Sequence, residues 1–126
     1  MSLISPDKTI TFALSVKDRH ASADWYGRML GFELIYHADE VGWSEVRTNT
    51  DGVTIGFGEH TEPTPGNSMP VFGVADIDDA RSKLEGAGVK FDGETVVVDG
   101  MVKLATFFDP DNNALMIAQN LSGEFG

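Results

Sequence analysis

Trp43, Glu45 and Arg47 stand at alternate positions of one short stretch, so in an extended strand all three side chains leave the same face. An indole, a carboxylate and a guanidinium arranged in this way can orient a polar planar ligand, with Glu45 and Arg47 as a partly buried charge pair beside the ring. Glu45 is also the best-placed carboxylate for moving a proton. Ser44, Val46 and Thr48 take the opposite face. The histidines are spread out. His20 falls at a helix start and reads as exposed, His37 ends a strand, and His60 sits with Glu59 and Glu62 in an irregular acidic segment that reads as solvated surface. No Ser/His/Asp constellation or phosphate-cradling loop is visible. Gly56-Phe57-Gly58 lies inside a strand rather than between a strand and a helix, so it is no dinucleotide fingerprint. Its glycines suggest close approach of another backbone, or room for a ligand. Cysteine is absent, which removes disulfides, thiolate catalysis and Cys-based metal sites.

The chain has 126 residues, 41% of them hydrophobic, enough for one compact core. The net charge of −11, from 20 acids against 9 bases, argues against nucleic acid and anionic membrane surfaces as partners. It does not by itself call for a cationic ligand, because acidic surfaces serve solubility. No apolar run approaches the ~18 residues of a membrane span, and no signal peptide is visible, so the expected location is cytoplasmic.

The elements that must position these residues come in two copies. In each, an apolar strand runs into Val-x-Asp, a short helix follows, then a Gly-led turn and more strands: Val16-Lys17-Asp18 opens one helix and Val74-Ala75-Asp76 the other. The order is β-α-β-β-β twice, an α+β plan with modules at 9–60 and 69–120 joined by a Pro/Gly-bearing linker at 61–68, one structural domain overall. In the first strand Ile10, Phe12, Leu14 and Val16 form an apolar face for a helix, leaving Thr11, Ala13 and Ser15 on the side of an opening. The first helix is expected to bury Tyr26, Met29 and Leu30, with Trp25 beside them, and to stop at Gly31. Asp76 is a good N-cap for the second helix, which carries Ile77, Ala80, Leu84 and Ala87 on one face. Later strands are read at Phe32–His37, Trp43–Thr48, Val53–Glu59, Met69–Val74, Val89–Val98, Val102–Phe108 and Ala114–Gln119.

Trp25-Tyr26 before Leu30-Gly31-Phe32, Phe72-Gly73-Val74-Ala75-Asp76 and Phe108-Asp109-Pro110-Asp111 together resemble the signatures of the vicinal oxygen chelate superfamily. That superfamily includes glyoxalase I, extradiol dioxygenases, fosfomycin-resistance transferases and bleomycin-binding proteins. The resemblance runs from Thr9 to Asn120. It implies paired βαβββ modules whose curled mixed sheets surround a cavity, with helices outside. In the family's metalloenzymes up to four side chains hold a divalent ion there, His, Gln and Glu predominating. Carried over residue by residue, those positions fall on Thr11, Gly56, Met69 and Met116. Such a set suits no hard or borderline divalent cation, which takes carboxylate and imidazole donors.

The resemblance therefore points to the family's metal-free members: a small-molecule-binding protein, in the manner of antibiotic sequestration, with no cofactor and no metal. Its expected lining is Trp43, Met69, Met116, Leu104 and Thr106 with Gly56, and Thr11, Ser15, Glu45 and Arg47 supply polar points. The alternatives are a lyase- or isomerase-type enzyme using Glu45 as its catalytic residue, a metal-dependent enzyme with an unrecognised site, and a domain acting through protein contacts. A homodimer is expected, because curled sheets leave exposed edges.

Overall fold

The computed structural model describes residue 3, residues 7–64 and residues 69–121. Residues 65–68 of the expected linker lie outside that set. The chain divides into two compact units, residues 1–63 and 64–126. Each contains a four-stranded mixed sheet and one helix, so the fold is α+β with two βαβββ modules.

The first unit runs β1 (Ile10–Ser15), α1 (Arg19–Leu30), β2 (Glu33–Ala38), a single 3-10 turn, β3 (Trp43–Arg47) and β4 (Val53–Gly58). Its sheet has the order β1-β4-β3-β2, with β1 and β4 parallel and the other pairs antiparallel. Asp18 caps α1 by accepting from Ala21 N, and Gly31 ends the helix at φ 73°, a left-handed conformation that suits a residue without Cβ. Helix α1 packs chiefly over β3, β2 and β4. Its Tyr26 and the strand residues Val46, Ile55 and Phe57 have no exposed surface. Each large apolar side chain removed from water in this way contributes ~1.5–3 kcal/mol.

Two expectations fail here. The buried face of α1 keeps Tyr26 as expected but is completed by Arg19, Ser22 and Ala23, while Met29 and Leu30 are only half-buried. And because α1 lies over β3, β2 and β4, the apolar face of β1 is not uniformly covered: Val16 is buried, whereas Ile10 is 51% exposed.

The second unit runs β5 (Val71–Gly73), α2 (Ile77–Gly86), β6 (Val96–Val98), β7 (Val102–Phe108) and β8 (Ala114–Asn120), with sheet order β5-β8-β7-β6. Asp76 caps α2 by accepting from Asp79 N. The core collects Ile77, Leu84, Ala105, Phe107, Leu115 and Ile117. The strand expected from Met69 begins only at Val71, because Pro70 has no N–H to give to the ladder, although its carbonyl accepts from Met116 N. The strand expected over Val89–Val98 shrinks to three residues, interrupted by Gly93 at φ 70°, and an isolated bridge between Phe91 and Phe107 survives upstream. The Asp109 turn holds itself: its Oδ1 accepts from Asp111 N and Asn113 N, and Asn112 takes φ 64°.

The repeat extends to the sheet registers. Val16 N donates to Gly58 O, and Val74 N donates to Ala118 O. Two residues earlier, Gly56 and Met116 therefore hold equivalent places in the two sheets.

Candidate functional site

Strand pairing decides what stands beside what. On the face of the first sheet turned away from α1, Trp43 pairs with Gly58, Glu45 with Gly56 and Arg47 with Thr54, and Thr11, Ala13 and Ser15 complete the rows from β1. Trp43, Glu45 and Arg47 thus share a face, as their alternation requires. Gly56 is buried, and a Cβ there would overlap the Trp43 indole; one at Gly58 would come within 3.5 Å of the same ring. The two glycines are a floor on which the indole lies. The room that they open is filled by Trp43 itself, rather than by another backbone.

The indole is pinned through Glu45. Trp43 Nε1–H donates to Glu45 Oε1 at 2.9 Å, and Tyr36 O–H donates to the same oxygen at 3.1 Å. Thr54 O–H donates to Glu45 Oε2 at 2.8 Å, and Thr11 Oγ1 lies 2.7 Å from Thr54 Oγ1. Burial alone would raise the Glu45 carboxyl, but hydrogen bonds from Trp43, Thr54 and Tyr36 outweigh it and hold Glu45 below the usual carboxylate range. A carboxylate so stabilised is a weak base. Tyr36 is pushed the other way, by burial first and by the neighbouring Glu45 charge. The expected Glu45–Arg47 pair does not form: Arg47 Nη1–H donates to Glu33 Oε1 at 2.8 Å, and both side chains are well exposed. A recess of about 390 Å³ opens beside this network, lined by Thr11, Glu45, Arg47, Thr54, Asp51 and Ile35 among others.

Tyr36 was not legible as a site residue. The β2–β3 register slips by one residue at Ile35, so Leu34 pairs with Val46 while Tyr36 pairs with Glu45. The slip turns Tyr36 onto the Glu45 face and sends His37 to the other side, opposite Ser44.

On that helix side, a polar cluster closes one end of the core. Buried Arg19 donates from Nη1 to Ser44 Oγ at 3.0 Å and pairs with Asp39 Oδ1 at 2.7 Å. Its backbone N–H donates to Glu59 Oε2 at 3.0 Å, while Nε lies 3.3 Å from Glu59 Oε1 without hydrogen-bond alignment. Glu59 is therefore tied to the start of α1 rather than being free surface, and His60 Nε2–H donates to Val41 O at 3.0 Å. His37 Nδ1 sits 2.6 Å from Ser44 Oγ, and its ring stacks on His20 at 3.7 Å between centroids. His20 Nε2 reaches Asp39 Oδ1 at 2.9 Å. Burial, then the His20 and Arg19 charges, lower the His37 pKa against the opposing pull of Asp39. Bonds from His20 and Arg19 lower that of Asp39. Sequence reading saw no Ser/His/Asp grouping; the fold assembles one, but Ser44 has no exposed surface, so its hydroxyl cannot meet a substrate.

In the second unit, the face turned away from α2 carries Val71, Leu104, Thr106 and Met116, with Thr106 paired to Met116 and Val71 to Met116 across the strands. Met69 precedes β5 and is 38% exposed. The divalent ion of the family's metalloenzymes does not fit the corresponding positions. Thr11 is engaged with Thr54, Gly56 lies under an indole, and Met69 and Met116 offer thioethers. Among the described residues no group of three or more His, Cys, Asp or Glu side chains gathers to hold a metal ion, and no helix is long and apolar enough to cross a membrane.

The fold is similar to that of a glyoxalase/bleomycin resistance protein/dioxygenase from Nocardioides, with a TM-score of 0.77, 19% identity, and coverage of 97% of this chain and 88% of that one. It is also similar to TnmS3, an antibiotic binding protein from Streptomyces sp. CB03234, at TM-score 0.75 and 23% identity over 95% of this chain and 99% of that one. FosX, a fosfomycin resistance protein from Listeria monocytogenes solved with Mn(II) and sulfate, gives TM-score 0.75 and 19% identity over 94% and 92%. No curated protein matches the chain in sequence. Residues 9–117 match the sequence profile of the Glyoxalase/Bleomycin resistance protein/Dioxygenase superfamily, and to that superfamily the chain belongs.

Proposed function

We propose that this protein binds an aromatic or antibiotic-like small molecule without a metal ion. The observation that carries the reading is the Trp43 indole lying over Gly56, at a place where the resemblance puts a metal ligand. A flat ring backed by glycine and fixed through its own N–H is a ready stacking surface. Thr11, Ser15, Glu45 and Arg47 supply polar groups on the same sheet face. Leu104, Thr106 and Met116, with Met69 nearby, give the second unit an apolar face of the kind that receives ring systems, Met being adaptable to shape. The likeness to an antibiotic binding protein agrees with this reading in kind. Glu45 serves here to fix the ring and to meet the ligand, since its bonded carboxylate is poorly suited to taking a proton.

The test is titration of a small panel of aromatic natural products and antibiotics into wild type and Trp43→Ala. An aromatic face in a desolvated site contributes ~1–3 kcal/mol, so the variant is expected to lose about five- to hundred-fold in affinity. Trp25, packed edge-on to Tyr26 in the first unit, remains to report folding. Equal affinity for both proteins, or no binding by either, rejects the reading. The proposal includes a homodimer, motivated by the outer strands of each sheet and by exposed Val96, Val97 and Val98 on β6. Light scattering near 13.6 kDa at micromolar concentration would count against it.

A further inference from the structure

We infer that the Thr11–Thr54–Glu45 array accepts hydrogen bonds only, so the ligand class of the site is a planar aromatic carrying an N–H donor, a protonated amine foremost. The inference rests on the small-molecule reading above and deepens it. Its basis is hydrogen bookkeeping. Thr54 has a single hydroxyl hydrogen and donates it to Glu45 Oε2. The 2.7 Å contact between Thr11 and Thr54 must then run from Thr11 O–H to Thr54 Oγ1. Trp43 Nε1–H and Tyr36 O–H are both spent on Glu45 Oε1. Three donors of the array therefore end on the Glu45 carboxylate, and the fourth, Thr11 O–H, ends on Thr54.

What remains to face the recess is acceptor capacity: the lone pairs of exposed Thr11 Oγ1 and one position on Glu45 Oε2. Asp51 lines the same recess. Among the described residues lining it, the one cationic side chain, Arg47, is charge-paired with Glu33 at 2.8 Å, so its charge is offset while Glu45 and Asp51 keep theirs. An anionic ligand would meet a carboxylate held in its charged form, with Asp51 on the same recess. An ammonium meets that carboxylate directly, with a charge-assisted bond available. Because Glu45 also holds the indole, one residue couples the ring platform to the charge it selects.

The experiment uses four probes that share one ring: 2-naphthylmethylamine as its ammonium, 2-naphthalenemethanol, 2-methylnaphthalene and 2-naphthoate. Affinities are measured at pH 7 by calorimetry for wild type, Glu45→Gln and Thr11→Val, with circular dichroism as a check on folding. The ammonium is expected to bind wild type at least about tenfold more tightly than the hydrocarbon, and the carboxylate most weakly. Glu45→Gln should erase the ammonium preference while retaining hydrocarbon binding, and Thr11→Val should reduce it in part. Equal binding of all four probes by wild type overturns the donor selectivity and leaves the small-molecule reading standing. Tighter binding of the naphthoate overturns it too. Failure of every probe to bind takes down both. Should Glu45→Gln unfold, the wild-type order of the probes and Thr11→Val still decide the matter.

Discussion

The two modules share one topology and place different chemistry on equivalent sites. At the first helical residue, Arg19 in one unit corresponds to Ile77 in the other, and both are buried. On the sheet face away from the helix, Gly56 under an indole corresponds to the thioether of Met116. The first unit has a buried charge at one place and an aromatic ring seated on glycine at the other, where the second has aliphatic and thioether side chains. The backbone plan tolerates this because capping, turn chemistry and ladder register carry the fold, while the two faces are free to differ. The bonded, single-purpose arrangement sits in the first unit, which is why the specific part of the proposed site is assigned there.

The comparison breaks most visibly at the helix starts. Ile77→Ala is expected to cost about 2–5 kcal/mol in denaturant unfolding, nearly independent of salt and pH. Arg19→Ala should cost about 2 kcal/mol, because its carboxylate partners keep some access to water and the loss is mainly of charged hydrogen bonds. The part of that contribution that comes from Asp39 should be lost in acid. Asp39 has a lowered pKa in the folded state, so that stability is present above the unfolded carboxylate value of about 4 and is lost as pH falls through the folded one. If Arg19→Ala behaves like Ile77→Ala across pH, the two starts do not differ in kind.

The sheet faces come next. Gly56→Ala is expected to cost about 1–3 kcal/mol by overpacking and to shift Trp43 fluorescence as the ring leaves Glu45. Met116→Ala, at a partly exposed site, should cost less and leave the spectrum unchanged. A silent Gly56→Ala would mean that the indole does not rest on Gly56.

The smallest effect is the His37 titration. Its folded pKa lies below the unfolded value of 6.5, so the stability it contributes is complete above about 6.5 and is lost as pH falls through the folded value. His20, Arg19 and Asp39 face it, and the Asp24–Arg28 pair borders the same groove. Replacement by Asn should flatten the stability profile between about pH 7 and 5. An unchanged slope would remove His37 from the account.

Much of this organisation is readable in the residues. Asp18 and Asp76 cap the helices that follow them, Gly31 and Asn112 take the positive φ their turns need, and the alternation of Trp43, Glu45 and Arg47 places them together. What escapes is set between strands rather than along them. The slip at Ile35 has no residue signature, yet it decides that Tyr36 reaches Glu45 and His37 reaches Ser44. Arg47 turns to Glu33 because the neighbouring strand offers a carboxylate directly opposite. The seat of Trp43 on Gly56 is a diagonal cross-strand contact, visible only once the register is known. Arg19 passes for a surface residue until its partners from the 3-10 turn, β3 and the end of β4 converge on it.

The most direct measurement of the central claim is elemental analysis of protein purified without chelator and dialysed. With Trp43 over Gly56, Thr11 bonded to Thr54, and thioethers at Met69 and Met116, the account predicts well under a tenth of an equivalent of zinc, nickel, manganese or iron per chain. About one equivalent retained per chain would contradict it, and would mean that donors elsewhere assemble a metal centre.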